Sequence, residues 1–280
     1  MTLPSFIGIG AHKAGTTWLY SMLAQNPSIW LPPLKEVHFF DRQNATSDKK
    51  RAHAAHIRKV ADRLEARRRS KGSGDNKADK VAFLRALADG DVLSDEWYRS
   101  IFSHPDAEGK ITGEITPSYL DVDAAALPKF KAMLPDTKFL LIVRDPQARS
   151  LSQIRMGIAN SGQTPETDGD WEYFIGKLST YLRGNYKTAI PLWQSHVGID
   201  RLLIQPFGRI KHEPAALIRT IEDFIGATPF DGYKAMAKRI HKTKEIEIPD
   251  WVRNRIEEMT RPQRDYLIEA FGQDFYEQTR

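Results

Sequence analysis

No cysteine occurs anywhere in the 280 residues. The chain therefore has no disulfide framework, no thiolate metal site and no cysteine nucleophile. No apolar run reaches the roughly 20 residues that a membrane-spanning helix needs. The first residues carry neither a charged leader region nor a small-residue cleavage pattern. Internal repeats and long low-complexity tracts are missing too. From these absences we expect a soluble, cytoplasmic protein. The length suits one sizeable α/β domain, and we expect a single domain over residues 1–280.

Charge is present but uneven. The net charge is +5. Residues 45–75 hold ten Lys/Arg against four Asp/Glu, so the remainder is close to neutral. Residues 47–69, "SDKKRAHAAHIRKVADRLEARRR", read as a charged helix with a thin apolar stripe at Ile57, Val60, Ala61 and Leu64. "KGSGDN" (71–76) breaks it, and "DKVAFLRALADG" (79–90) reads as a second helix. We take 43–100 as a basic helical insertion. Such a segment suits nucleic acid, an anionic polymer or a membrane surface, but a solvated helix face is the plainer alternative.

Four short apolar runs read as buried strands: "FIGIG" (6–10), "KITGEIT" (110–116), "KFLLIV" (138–143) and "RLLIQPF" (201–207). Helical patterns alternate with them. One follows the first run, one opens at Pro146, and one stops at Gly226. A last helix starts near Pro249 and is expected to pack Trp251, Ile256, Leu267 and Phe271. Buried strands alternating with helices imply an α/β three-layer sandwich around a central parallel sheet. Ligands of such sheets bind at the carboxyl ends of the strands.

The first strand leads into Gly10-Ala-His-Lys13-Ala14-Gly15-Thr16-Thr17-Trp18, where a helix begins. A glycine loop at a helix N-terminus points amide N–H groups and the helix dipole at one spot, which favours an anion. Lys13 adds a full charge, and Thr16 and Thr17 add hydroxyl donors. The loop of ATP- and GTP-binding proteins reads G-x-x-x-x-G-K-[ST]. Here the lysine precedes the second glycine, so that match fails. The plain alternative is a tight turn without a ligand.

"KAGTTWL" (13–19) resembles the 5′-phosphosulfate loop of sulfotransferases that use 3′-phosphoadenosine 5′-phosphosulfate (PAPS). Two further motifs strengthen the resemblance. "KFLLIVRDPQARSLSQIRM" (138–156) is similar to the family's 3′-phosphate motif, which implies that Arg144 and Ser152 hold that phosphate. "PLKEVHFFDR" (33–42) resembles the K-E-x-H-F-F-D segment of the heparan-sulfate-type members, which implies Glu36 as general base with His38 beside it. In an extended segment residues 36 and 38 face the same side. The plain alternatives are a Lys35–Glu36 surface pair and a satisfied, half-buried His38. "GEITPSYL" (113–120) also matches, except that Ile115 stands where many members have lysine. "HKTK" (241–244) resembles the late basic loop over the nucleotide, with Lys242 and Lys244 as its contacts. The last strand ends in Gln205-Pro206-Phe207-Gly208, where the family usually shows Tyr-Glu-Asp-Leu.

The resemblance implies the P-loop NTPase-like sulfotransferase fold and sulfuryl transfer from PAPS to a hydroxyl or amine, leaving adenosine 3′,5′-bisphosphate. The expected cofactor contacts are Lys13, Ala14, Gly15, Thr16, Thr17, Trp18, Arg144, Ser152, Lys242 and Lys244. Lys13, Glu36 and His38 are the expected catalytic groups, with no metal. The acceptor is a glycan or a small molecule, and nucleic acid is not expected. Trp30, Trp97, Tyr98 and Tyr119 suit stacking on a sugar but equally a core. Two rivals stand beside this: a nucleotide-dependent kinase with Asp145 as a magnesium ligand, and a non-enzymatic protein that binds anionic polymer through the basic helix.

Overall fold

A computed structural model describes residues 3–71, 76–181, 184–236 and 246–280. The chain opens with β1 (Phe6–Gly10), α1 (Thr16–Leu23) and the two-residue β2 (Ile29–Trp30). Three helices follow: α2 (Ser47–Lys71), α3 (Asn76–Asp89) and α4 (Asp95–Ile101). Next come β3 (Ile111–Ile115), α5 (Leu127–Met133), β4 (Lys138–Val143), α6 (Pro146–Ser161), α7 (Asp168–Tyr181) and α8 (Tyr186–Val197). The last part holds β5 (Leu202–Pro206), α9 (Arg209–His212), α10 (Pro214–Ile225), α11 (Asp250–Phe271) and α12 (Gln273–Glu277).

The five strands form one sheet in the order β2-β3-β1-β4-β5, and every pairing is parallel. Ile7 lies opposite Glu114 on one side and Phe139 on the other. All five residues of β1 are buried, which explains why "FIGIG" is apolar without alternation. The four runs read as strands are strands, with ends trimmed by a residue where they differ. The edge strand β2 is additional, and two residues are too few to show a pattern. The chain runs from β1 to β3 on one side and reaches β4 on the other. The carboxyl ends of β1, β3 and β4 thus meet where the strand order reverses, the place where open parallel sheets hold ligands.

Helix α2 is continuous over 25 residues and packs on α3. Ala54, Ile57 and Ala61 are buried, whereas Val60 and Leu64 are half-buried at the edge of the same stripe. Polar faces of the two helices are joined by Arg58–Asp89 (2.8 Å) and Arg85–Glu65 (2.5 Å). A second apolar cluster joins α6, α7 and α11 through Ile154, Phe174 and Ile256. In α11, Ile256 and Leu267 are fully buried, but Trp251 and Phe271 are only half-buried at the margin of its apolar face. No described helix is long and apolar enough to cross a membrane.

Candidate active site

The β1–α1 loop turns on two left-handed residues, Lys13 (φ 64°) and Gly15 (φ 82°). Gly15 carries a φ that L side chains rarely adopt, and a Cβ on it would also press on Ile210 Cδ1 at 2.4 Å, so glycine is favoured there. The turn delivers the chain into α1 at Thr16, where the first four amides have no intrahelical acceptor. Residues 10–19 contain an ammonium, two hydroxyls and no carboxylate. Amides, cation and hydroxyls converging on one loop fit a phosphate-like group. Burial, followed by the Arg144 charge beside it, holds the Lys13 ammonium below its ordinary pKa. Ala14 is fully buried beneath the loop.

Arg144 leaves the carboxyl end of β4 and donates from Nη1 to the Lys13 carbonyl (2.9 Å). Its guanidinium lies 4.7 Å from the centre of the Phe207 ring. Asp145 caps α6, accepting from Ala148 N–H (2.7 Å) with one oxygen and from Tyr276 OH (2.7 Å) with the other. On α6, Met156 Sδ lies 3.5 Å from Lys13 Nζ. Ser152 is one turn earlier on that same face, so the helix turns it toward the Lys13 side. Trp18 is buried and donates from Nε1 to the Met236 carbonyl (2.8 Å). Lys242 and Lys244 lie outside the described residues. Among described residues no group of three or more His, Asp or Glu side chains is placed to hold a metal.

Lys35 joins the loop to the carboxylate expected from sequence. Its ammonium donates to Thr17 Oγ1 (3.1 Å) and lies 3.5 Å from Glu36 Oε1. The surface pair weighed as the plain alternative therefore exists, but it belongs to a larger set. Glu36 Oε2 lies 3.3 Å from His38 Nε2, and His38 Nδ1 lies 2.7 Å from Asp41 Oδ2. His38 reaches both carboxylates through a left-handed backbone (φ 55°), not through a regular strand. Burial pushes the Glu36 carboxyl up, but the His38 hydrogen bond and the Lys35, His38 and His12 charges outweigh it and bring its pKa to about 2. Burial lowers His38, while hydrogen bonds to Asp41 and Glu36 overcome that and raise it to about 8.

A fully buried carboxylate, Glu114 on β3, supports this segment from below. Hydroxyl donors from Tyr98 (2.7 Å), Thr116 (2.7 Å) and Tyr119 (3.2 Å) converge on it. Burial raises its pKa to about 7 despite those three bonds. With their protons committed to Glu114, the Thr116 and Tyr119 oxygens accept from the amides of Val37 (2.9 Å) and Phe39 (2.9 Å). Those two amides flank His38 and follow Glu36. Tyr98, Tyr119, Trp30 and Trp97 are all buried, so the core alternative holds for these four aromatics. Ile115 is buried against Gly8, so close that a Cβ on Gly8 would stand 3.0 Å from Ile115 Cγ1. At the β5 end, Gly208 N–H donates to the Gln278 carbonyl (2.7 Å), so the C-terminal segment covers that strand end.

Three participants went unnamed at the sequence level. Asp41 carried a signal, since it stands three residues after His38 in the quoted run. Glu114 was within a quoted motif that also holds Thr116 and Tyr119, but its third partner, Tyr98, comes from α4. His53 on α2 is 1% exposed and lies 2.7 Å from Arg42 Nη1, with its ring 6.5 Å from that of His38. Burial, with Arg42 and His38 nearby, lowers its pKa to about 4, so it remains neutral.

The profile of the sulfotransferase family matches residues 4–232. Heparan sulfate glucosamine 3-O-sulfotransferase 3A1 of Mus musculus is 29% identical over 237 residues, covering 80% of this chain and 46% of the relative. The 3B1 enzyme of Mus musculus is 28% identical with the same coverage. The chain thus spans about half the length of these curated relatives. Among solved structures, a sulfotransferase from Alicyclobacillus acidocaldarius superposes with a TM-score of 0.67 over 100% of both chains at 19% identity, a likeness of fold. The phosphate-type loop, the strand-end arginine and the match over most of the length agree: the chain belongs to the sulfotransferase family.

Proposed function

We propose that the chain transfers a sulfuryl group from PAPS to a hydroxyl or amine of a glycan or small-molecule acceptor, working as one unit over residues 1–280 with 43–100 as a helical insertion. The observation that carries this is the position of Lys35, 3.1 Å from Thr17 Oγ1 and 3.5 Å from Glu36 Oε1. It sets a carboxylate one side chain away from an anion-binding loop. The donor supplies a sulfuryl group already activated on a phosphate leaving group.

The residues divide the work. Lys13, the amides of the loop and Thr16/Thr17 stabilise charge that develops on the leaving phosphate; each donor of this kind is worth on the order of a hundredfold to a thousandfold. Arg144, held at the loop by Lys13 O, and Ser152 on α6 select a 3′-phosphate. Glu36 takes the proton of the acceptor. A carboxylate with a pKa of about 2 is a weak base while His38 is protonated. Once His38 is neutral, Asp41 keeps its proton on Nδ1 and leaves the Nε2 lone pair facing Glu36. The Glu36–His38 pair then accepts one proton as a unit. Lys242 and Lys244 remain candidate nucleotide contacts, proposed from the motif alone.

The kinase rival is weakened, because both oxygens of its candidate magnesium ligand, Asp145, already serve the α6 cap and Tyr276. The polymer-binding rival is weakened because cations of α2 pair with acids of α2 and α3, among them Arg58–Asp89 and Arg69–Glu65. In a PAPS-dependent transfer assay, Glu36→Gln should lower turnover by ~10² to 10⁴ while adenosine 3′,5′-bisphosphate binds as before. Normal turnover in that variant would place the base elsewhere.

A further inference from the structure

Helices α6, α7 and α11, together with Asn185 and Lys187, line an open cavity of about 520 Å³ that holds none of the residues assigned above to the transfer reaction. It follows the edge of α6 carrying Arg149, Gln153 and Gly157. Ser152 and Met156 follow the edge that meets Lys13. At 3.6 residues per turn, the middles of the two edges are separated by about 80°, a little under a quarter of a turn. The volume is in the range of small-molecule sites.

Three independent features coincide there. The first is an apolar floor of Ile154, Phe174 and Ile256, rimmed by Tyr173 and Met259. These two are 59% and 38% exposed, two of the three large apolar side chains left exposed among the described residues. The second is a set of buried polar atoms without hydrogen-bond partners: Arg149 Nε, Gln153 Oε1 and Gln263 Oε1. Arg149 itself is only 4% exposed. Such atoms are uncommon in native proteins, and each calls for a partner. The third is charge: the charged lining residues are Arg149, Lys177 and Lys187, with no carboxylate among the described ones. Lys177 Nζ stands 5.1 Å from the Tyr173 ring centre, placing a cation directly over the aromatic rim.

We propose that this cavity is a second binding site, taking a hydroxylated organic anion with an aromatic or alicyclic body. The anionic group meets Arg149 and Lys177, the body lies on Ile154 and Phe174, and a hydroxyl donates to Gln153 or Gln263. Arg149 Nε and one of the two glutamine oxygens thereby gain partners of the correct polarity. No residue of the nucleotide loop lines the cavity, so we expect both to be filled together.

The test is calorimetric titration of the full chain with 6-hydroxy-2-naphthoate, with and without saturating adenosine 3′,5′-bisphosphate. We expect one site per chain, the same affinity in both conditions, and binding weakened about tenfold in Lys177→Glu, the change expected for loss of one charge-assisted contact. Gln263→Leu should weaken the hydroxylated probe but leave 2-naphthoate unchanged. Lys177 is exposed on α7, so Lys177→Glu should keep the wild-type unfolding midpoint, which is checked in parallel. Absence of saturable binding, displacement by the bisphosphate, equal affinity in both variants, or equally tight binding of inorganic sulfate would each overturn the proposal. Failure of the bisphosphate to bind would bear on the transfer reaction and leave the cavity result intact.

Discussion

At the residue scale, Glu36, His38 and Asp41 form one hydrogen-bonded unit, with contacts of 3.3 Å and 2.7 Å. His38 is protonated below about 8 and then donates to Glu36, which depresses the base. Loss of that proton removes the donor. Activity should therefore rise with pH, and kcat/KM should show an apparent pKa near 8. His38→Ala should abolish that limb; an unchanged profile would show that another group sets it. Glu114 acts one layer below, through the hydroxyls of Thr116 and Tyr119. A glutamine there brings amide protons that oppose at least one of the three hydroxyl donors. Glu114→Gln should lower kcat, keep the affinity for adenosine 3′,5′-bisphosphate, and cost about 1–3 kcal/mol of stability, measured by denaturant unfolding. Unchanged kcat with lowered stability would reduce Glu114 to a structural role. Lys13, Glu36, His38 and Arg144 were legible because each sits in a local motif with fixed spacing. Glu114 was not, because its role depends on Tyr98, sixteen residues away and on another element.

At the element scale, β1, β3, β4 and β5 could be read from sequence because both faces of the sheet are covered, and their apolar runs are unbroken. The edge strand β2 has two residues and escaped notice. Helix α2 was visible through its charge and its stripe, yet its place next to the Glu36–His38 segment was not. That place comes from His53, whose partner Arg42 follows Asp41 directly. Ile57 anchors the same helix in the core. Ile57→Ala should cost about 2–5 kcal/mol in chemical denaturation. A loss below about 0.5 kcal/mol would mean that α2 is not docked through this stripe.

At the scale of the whole molecule, the reversal of strand order brings three carboxyl ends together, and each contributes one part: the loop from β1, the Thr116 support from β3, and Arg144 from β4. The central claim is that this junction holds a nucleotide carrying both a 5′- and a 3′-phosphate. The measurement that tests it most directly is thermal unfolding with adenosine 3′,5′-bisphosphate, set against ADP and Mg-ATP and repeated on Arg144→Ala. A ligand bound only by the folded state, at about a hundred times its Kd, adds roughly 2.7 kcal/mol, a clear upward shift of the midpoint. We expect that shift with the bisphosphate alone, and its loss in Arg144→Ala. A shift with Mg-ATP and none with the bisphosphate would contradict the assignment of Lys13 and Arg144 and restore the kinase alternative.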